Sequence, residues 1–296
     1  MDKDKDQWSF KLKSFIWSFL HRTFKFILHL LTGKCELQRI CEKKIDKLEM
    51  ITQVDQCIQN SNVLVEERKE LETETDIDTS TLSRTICLKK GIKEEKIKTI
   101  ILPFILESIY RANKIVLIAS KLRSEKYSTS NQNHEKTLLE LWKNLSSEPL
   151  INRISSQWKD IGFQGDDPST DFRGMGILGL HNLNYFAQHH SLEAKKALLT
   201  SQGPSWYPLS ITGISITKVI LDMALQRKLH PLFYFSDGKI EQFHEIYSEA
   251  FKKFNDFWIK EKGIVTEFPY VFEKYMTMIE SDLVNENLSK EKKKVE

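Results

Sequence analysis

Residues 158–180 read WKDIGFQGDDPSTDFRGMGILGL, and the rest of the chain is easiest to place by working outward from them. Thr170 and Asp171 are residue types that cap helix starts, and an apolar run with helical spacing follows them. The spacing predicts a helix over Phe172 to about Gln188, with Arg173 in its first turn and little bulk beside it at Gly174 and Gly176. Two roles fit an arginine placed this way. It can enter an anionic site on another molecule as a planar, permanently charged donor fork, or it can pair with a nearby carboxylate and close the helix start. Trp158 and Phe163 are expected to anchor the preceding loop by burial, at roughly 1.5–3 kcal/mol for each large apolar side chain. Gly162, Gly174 and Gly176 are expected at sharp turns or close approaches.

Helical periodicity continues on both sides. Leu138, Leu139, Leu141, Trp142 and Leu145 mark a helix over 134–145, and Ile151, Ile154, Trp158 and Ile161 make a second amphipathic face. Further helices are expected over 192–200, 209–229, 240–258 and 268–284, punctuated by Pro204, Pro208, Pro231 and Asp237-Gly238. Upstream, about Lys93 to Arg123 forms a strongly helical stretch that Pro103 should kink or divide. Residues 124–133 are polar and form the expected boundary between a helical extension over 35–133 and a domain over 134–285. The Glu-, Asp-, Thr- and Ser-rich stretch 66–83 reads as a polar linker, and the Lys-rich tail 286–296 as disordered. No Asn-Gly hairpin or series of short alternating strands occurs, and 11 Gly and 7 Pro punctuate 296 residues. The fold class expected is all-α.

From Gln7 to Lys34 there is no Asp or Glu, while Lys11, Lys13, Arg22, Lys25 and Lys34 are basic. On a helix, Lys11, Arg22 and Lys25 share one stripe, opposite Leu12, Ile16, Phe19 and Ile27. This pattern fits a helix lying on an anionic membrane surface, with Trp8, Lys11, Phe15, Trp17, Arg22 and Lys25 as contact candidates within an amphipathic segment over 1–34. Packing against the protein is the competing reading. A transmembrane span places Arg22 and Lys25 near mid-bilayer, at about 2.5–3.5 kcal/mol each, and no small-residue cleavage site follows the apolar stretch.

Other chemistries have weak support. A net charge of +3, without RNP-like strings or zinc-finger spacing, gives no reason to expect nucleic acid. Cys35, Cys41, Cys57 and Cys87 form no CxxC pair, which fits a reduced, cytoplasmic compartment. Gly174-Met175-Gly176 follows no expected strand and lacks a third glycine, and no GxxxxGK[ST] occurs, so the chain has no nucleotide site of its own to expect. His181, His189, His190 and His244-Glu245 match no strong metal spacing. Asp166 and Asp167 adjoin a proline and read as solvated turn residues.

The 158–180 string resembles the signature of the ELMO domain in its ELMOD branch. The pattern is complete at Trp158, Gly162, Phe163, Gln164, Pro168, Thr170, Asp171, Phe172, Arg173, Gly174, Gly176 and Leu180. The similarity spans about residues 134–285, and residues 32–39 (TGKCELQR) are similar to the subgroup of the first and second ELMOD paralogues. The resemblance implies a GTPase-activating protein for Arf and Arf-like small GTPases. It places the family's essential arginine on Arg173, as a finger supplied in trans. GTP and Mg²⁺ then belong to the partner, the chain is a regulator and not itself an enzyme, and association with a membrane surface suits such partners. Gln164 has two roles open to it, orienting water in the partner's site or bonding the loop backbone, and the second is favoured because Ras-type GTPases commonly supply a glutamine themselves. A noncatalytic adaptor and a membrane tether stay open, since one fold hosts several functions.

Overall fold

The computed structural model describes residues 23–24, 27–93 and 101–295, with side chains as far as Leu283. Its regular structure is all-α, with no β-strand among the described residues. The membrane-contact candidates Trp8, Lys11, Phe15, Trp17, Arg22 and Lys25 lie outside the described residues. No helix among the described residues is long and apolar enough to cross a membrane.

The chain divides into two compact units. The first comprises residues 1–71 and 75–109. Its helices include α1 (Glu36–Glu42), α2 (Lys47–Gln59), α3 (Val65–Glu70) and α4 (Thr79–Lys89). α1 packs on α2, and Leu37, Ile51, Val54, Ile58, Leu64, Leu71 and Ile86 form a buried core. The stretch expected as a polar linker over 66–83 therefore carries helical structure. Asp78 caps α4 by accepting from Ser80 and Thr81, and buried Glu67 pairs with Lys89 at 2.6 Å. Leu71 and Leu82, two of the few apolar residues there, are spent on the core, which a compositional reading overlooks.

The second unit comprises residues 72–74 and 110–296. It begins inside α5 (Ile101–Ser124), earlier than the boundary expected at 124–133. Pro103 lies within α5, which continues past it as one helix to Ser124. There follow α6 (Gln132–Leu145), two 3₁₀ turns (Ser156–Ile161 and Pro168–Arg173), α7 (Gly176–His189), α8 (Ser191–Gln202), α9 (Leu209–Leu225), α10 (His230–Phe233), α11 (Glu241–Lys260), a third 3₁₀ turn (Val265–Glu267) and α12 (Phe268–Val295). The tail expected to be disordered is helical to Val295, a run rich in the good helix formers Glu and Lys.

α7 is the hub, packing against α6, α8, α9 and α11. A helix buried nearly all round needs an apolar or small residue at nearly every position, and Gly176 through Leu180 meet that demand. At Gly213 of α9 an added Cβ would lie 2.5 Å from Leu183 and 2.9 Å from Phe251, so this glycine sets how closely α9 approaches its neighbours. On α11, Phe243, Tyr247, Phe251, Phe254 and Trp258 recur at four- and three-residue steps and fill the interior. Several of the polar groups admitted there are paired. Asn182 donates to Thr217 at 3.0 Å, and its side-chain oxygen lies 2.6 Å from His244 Nδ1. Burial pushes the His244 pKa down to about 3, so the ring is neutral in the folded protein.

Candidate functional site

The 158–180 stretch folds differently from its sequence expectation. Ile151 and Ile154 do not join Trp158 and Ile161 on a helical face. They are 76% and 64% exposed, and only Ser156–Ile161 winds into a 3₁₀ turn. Ser155 caps that turn, and Gly162 ends it in the left-handed region at φ +85°. A Cβ at Gly162 would fall 2.2 Å from the Leu209 backbone nitrogen. The loop is pinned there, with Ile211 N–H donating to the Gly162 carbonyl and Ser210 Oγ to Ile161.

The second 3₁₀ turn starts at Pro168, not at Thr170 or Asp171. Asp167 is its cap, accepting from the Ser169 N–H at 3.0 Å, and the buried Pro168 takes the first position, where its missing N–H costs nothing. Asp167 is thus a capping residue and not merely a solvated turn acid. Arg173 is the last residue of this turn and precedes α7; it does not lie in the α-helix's first turn. Thr170 and Asp171 serve the turn from within. Thr170 Oγ1 donates to the Asp167 carbonyl at 3.2 Å, and Asp171 Oδ2 accepts from the Gln164 N–H at 3.0 Å. The backbone of Gln164 thereby ties the two halves of the motif, while its side chain is exposed. Burial raises the Asp171 pKa, against the opposing pull of the Gln164 and Thr170 bonds and the Arg173 charge.

Beneath the turn lies a run of aromatic contacts. Trp142 meets Trp158, Trp158 meets Phe163, and Phe163 meets Phe172, edge to face, at centroid distances of 5.3, 5.8 and 5.7 Å. Phe172 then stacks on Tyr127 at 5.5 Å. Trp158, Phe163 and Phe172 are buried, and each indole N–H is satisfied, Trp158 donating to the Arg153 carbonyl and Trp142 to Glu148. Edge-to-face pairs add about 0.5–1.5 kcal/mol each beyond their burial.

Arg153 locks this assembly. It donates to Glu135 at 2.6 Å and to Asp167 at 3.0 Å, and reaches the Tyr127 hydroxyl at 3.4 Å. Tyr127 in turn donates to Glu135 at 2.6 Å. Burial opposes the Arg153 charge, but the bonds to Glu135 and Asp167 outweigh it and raise its pKa. Asp167 is also partly desolvated, yet its bonds to Ser169 and Arg153 hold its carboxyl below the usual range. Arg153, Tyr127 and Glu135 escape a sequence reading because they lie 8 to 26 residues apart with no local pattern. The Asp167-Pro168 pair does carry a signal, a cap residue followed by proline.

The two glycines after Arg173 differ. Gly174 is exposed at φ −81°, with open space where a Cβ would stand, so neither a left-handed backbone nor a close approach calls for glycine there. Gly176 has φ +55°, and a Cβ there would lie 2.3 Å from the Arg123 carbonyl and 2.4 Å from that of Glu125. The Ile177 N–H donates to Glu125 at 2.9 Å, so the start of α7 is clamped to the end of α5. Leu180 is fully buried within α7.

Arg173 itself is exposed. Among the described residues it has no hydrogen-bond or ion-pair partner, and Asp171 acts on it only through space. With Lys126 and the hydroxyls of Ser128, Thr129, Ser169 and Thr170 it borders an open groove of about 700 Å³.

The sequence profile of the ELMO/CED-12 family matches residues 118–272, a span that includes α6, the three 3₁₀ turns and all of α7 to α11. The chain belongs to this family. ELMO domain-containing protein B of Dictyostelium discoideum is 35% identical over 277 residues, covering 90% of this chain and 96% of that protein. ELMO domain-containing protein 2 of Bos taurus is 34% identical over 288 residues, covering 93% and 97%. ELMO domain-containing protein 1 of Homo sapiens is 32% identical over 314 residues, covering 93% and 92%. The likeness thus extends through the first unit, beyond the ELMO domain proper. Among the described residues no cluster of three His, Cys, Asp or Glu is arranged to hold a metal ion. His190 instead meets Glu245 at 3.0 Å, and His244 meets Asn182.

Proposed function

We propose that this ELMO-family protein stimulates GTP hydrolysis by an Arf or Arf-like small GTPase, supplying Arg173 in trans to the partner's active site. The observation that supports this reading best is an exposed guanidinium with no partner among the described residues, carried on a braced turn. Hydrolysis of GTP builds charge on the phosphate oxygens, and a guanidinium delivered there is worth about 10³–10⁵ in rate. At about 1.4 kcal/mol per tenfold, that is roughly 4–7 kcal/mol of transition-state stabilisation. Effectiveness depends on position more than on charge alone, because the gain requires the fork to arrive already oriented. The Arg153 lock, the Asp171–Gln164 tie and the aromatic run beneath Phe172 supply that orientation. GTP and Mg²⁺ are the partner's, and this chain acts on a reaction it does not itself host.

The test is single-turnover GTP hydrolysis by purified Arf-like proteins with and without the full chain. Acceleration that Arg173→Lys removes supports the reading. Binding of the GTPase without acceleration makes the protein an adaptor, and liposome flotation with and without residues 1–34 examines the membrane component separately.

A further inference from the structure

Arg173 is not the only uncommitted cation at its groove. Lys126 lies in the α5–α6 loop and lines the same cleft as Arg173. Like Arg173 it is exposed, and among the described residues its ammonium has no hydrogen-bond or ion-pair partner. The carboxylates nearest in sequence are already engaged. Glu125 lies 3.0 Å from His134 Nε2, and Asp171 accepts from the Gln164 N–H. The cleft therefore presents two positive charges that no carboxylate of its own loops holds. Ser128, Thr129, Ser169 and Thr170 line the same cleft.

The two loops are also held at fixed separation. Tyr127, next to Lys126, stacks on Phe172, next to Arg173, and Arg153 bonds both the Tyr127 hydroxyl and Asp167. A cationic pair set on such a rigid base costs little ordering entropy when an anionic surface arrives.

We propose that Lys126 is a docking residue that engages an acidic segment of the GTP-bound partner's protein surface and so delivers Arg173 to the phosphates. This rests on the reading given under Proposed function. Arg173 acts on the rate at saturation, and Lys126 on how much activator is needed to reach it. A charge at the rim of an interface works chiefly through association rate and salt dependence.

The experiment measures binding and turnover on the same proteins. The full chain is titrated into an Arf-like GTPase loaded with a hydrolysis-resistant GTP analogue, and, in parallel, single-turnover hydrolysis is followed with GTP. Lys126→Glu should raise Kd and the half-saturating concentration about tenfold while the saturating rate changes less than twofold. Lys126→Arg should stay within twofold of the parent on both. Lys126→Gln should flatten the dependence of log Kd on log salt. Lys195→Glu, an equal charge change at an exposed site on α8 outside the cleft, should leave Kd within twofold.

The proposal is overturned if Lys126→Glu binds as the parent does, if Lys195→Glu weakens binding equally, or if Lys126→Glu lowers only the saturating rate. If the parent chain binds, Lys126→Glu weakens that binding, and hydrolysis is never accelerated, the docking role stands and the finger reading falls. If the parent chain binds none of the GTPases, both fall.

Discussion

Two arginines twenty positions apart mark two regions of one site. Arg153 is three-quarters buried, bonded to Glu135, Asp167 and Tyr127, and holds the loops in place. Arg173 is exposed, with no partner among the described residues. Arginines in folded proteins normally find carboxylates, and the second has Asp171 within electrostatic range, yet that acid is turned to the Gln164 N–H. The contrast separates a cation that builds the site from one the site presents. It also predicts that damage to the two regions will be read by different instruments, a rate at one and a melting curve at the other.

The largest effect is expected at the presented cation. Arg173→Lys keeps the charge but loses the planar fork, and stimulated hydrolysis should fall by roughly 10²–10³-fold. Tm should stay within about 1 °C, because no intramolecular bond is lost and surface changes away from packing are usually small. A normal rate from a folded Arg173→Lys protein breaks the comparison outright, since the presented cation would then do nothing that Arg153 does not.

Next comes the clamp on which the presenting turn ends. Gly176→Ala puts a methyl group into the carbonyls of Arg123 and Glu125 and strains a left-handed backbone. About 3 kcal/mol of stability should be lost, which for a protein of this size lowers Tm by about 6–12 °C. Arg153→Met should cost less, about 1–2 kcal/mol. It leaves Glu135 and Asp167 without their cation, but both acids keep some access to water, which limits the penalty. The sharper readout for Arg153→Met is partial loss of stimulation with Arg173 still present, because a loosened turn misplaces the fork.

Acid probes two buried histidines of the second unit. His230 and His244 are buried, and burial depresses the pKa of each to about 3. The unfolded chain binds protons on these rings below about pH 6.5 while the folded protein does not, so stability falls as pH drops from about 6.5 toward 3. Each ring contributes about 1.4 kcal/mol per pH unit in that window. His244→Gln should remove one share of the slope in pH-dependent denaturant melts and leave Arg173 as exposed as before. An unchanged slope would mean that the His244 ring does titrate in the folded state.

What could be read from sequence follows the same division. The motif was legible as a unit because its residues are contiguous, and so were the periodic helices, since α6, α9 and α11 each repeat apolar residues over three turns or more. The brace was not legible, because Arg153, Glu135 and Tyr127 meet only after α5, α6 and the first 3₁₀ turn have packed. Local competition misled the reading at Thr170 and Asp171. Both are good caps by type, but Asp167-Pro168 offers a cap and a fixed φ together three residues earlier, and the turn starts there. Composition misled it at 66–83 and in the tail, where polar sequences take helical form all the same.

The smallest predicted effect is the most discriminating about the motif's glycines. Gly174 and Gly176 flank one residue and look equivalent as text. Gly176 cannot carry a Cβ, whereas Gly174 has ordinary right-handed angles, is open to solvent and has nothing within 4 Å of an added methyl. Gly174→Ala should therefore leave Tm unchanged or raise stability by about 0.4–1 kcal/mol through a less flexible unfolded chain. Folding gives no reason for a glycine there, so any requirement for one must come from what approaches Arg173. If Gly174→Ala melts normally yet lowers stimulated hydrolysis, the lost space is space a partner uses, and the boundary of the docking surface runs across residue 174. If stimulation is also unchanged, the partner meets Arg173 from the Lys126 side of the turn, and the glycine is free of duty on both counts.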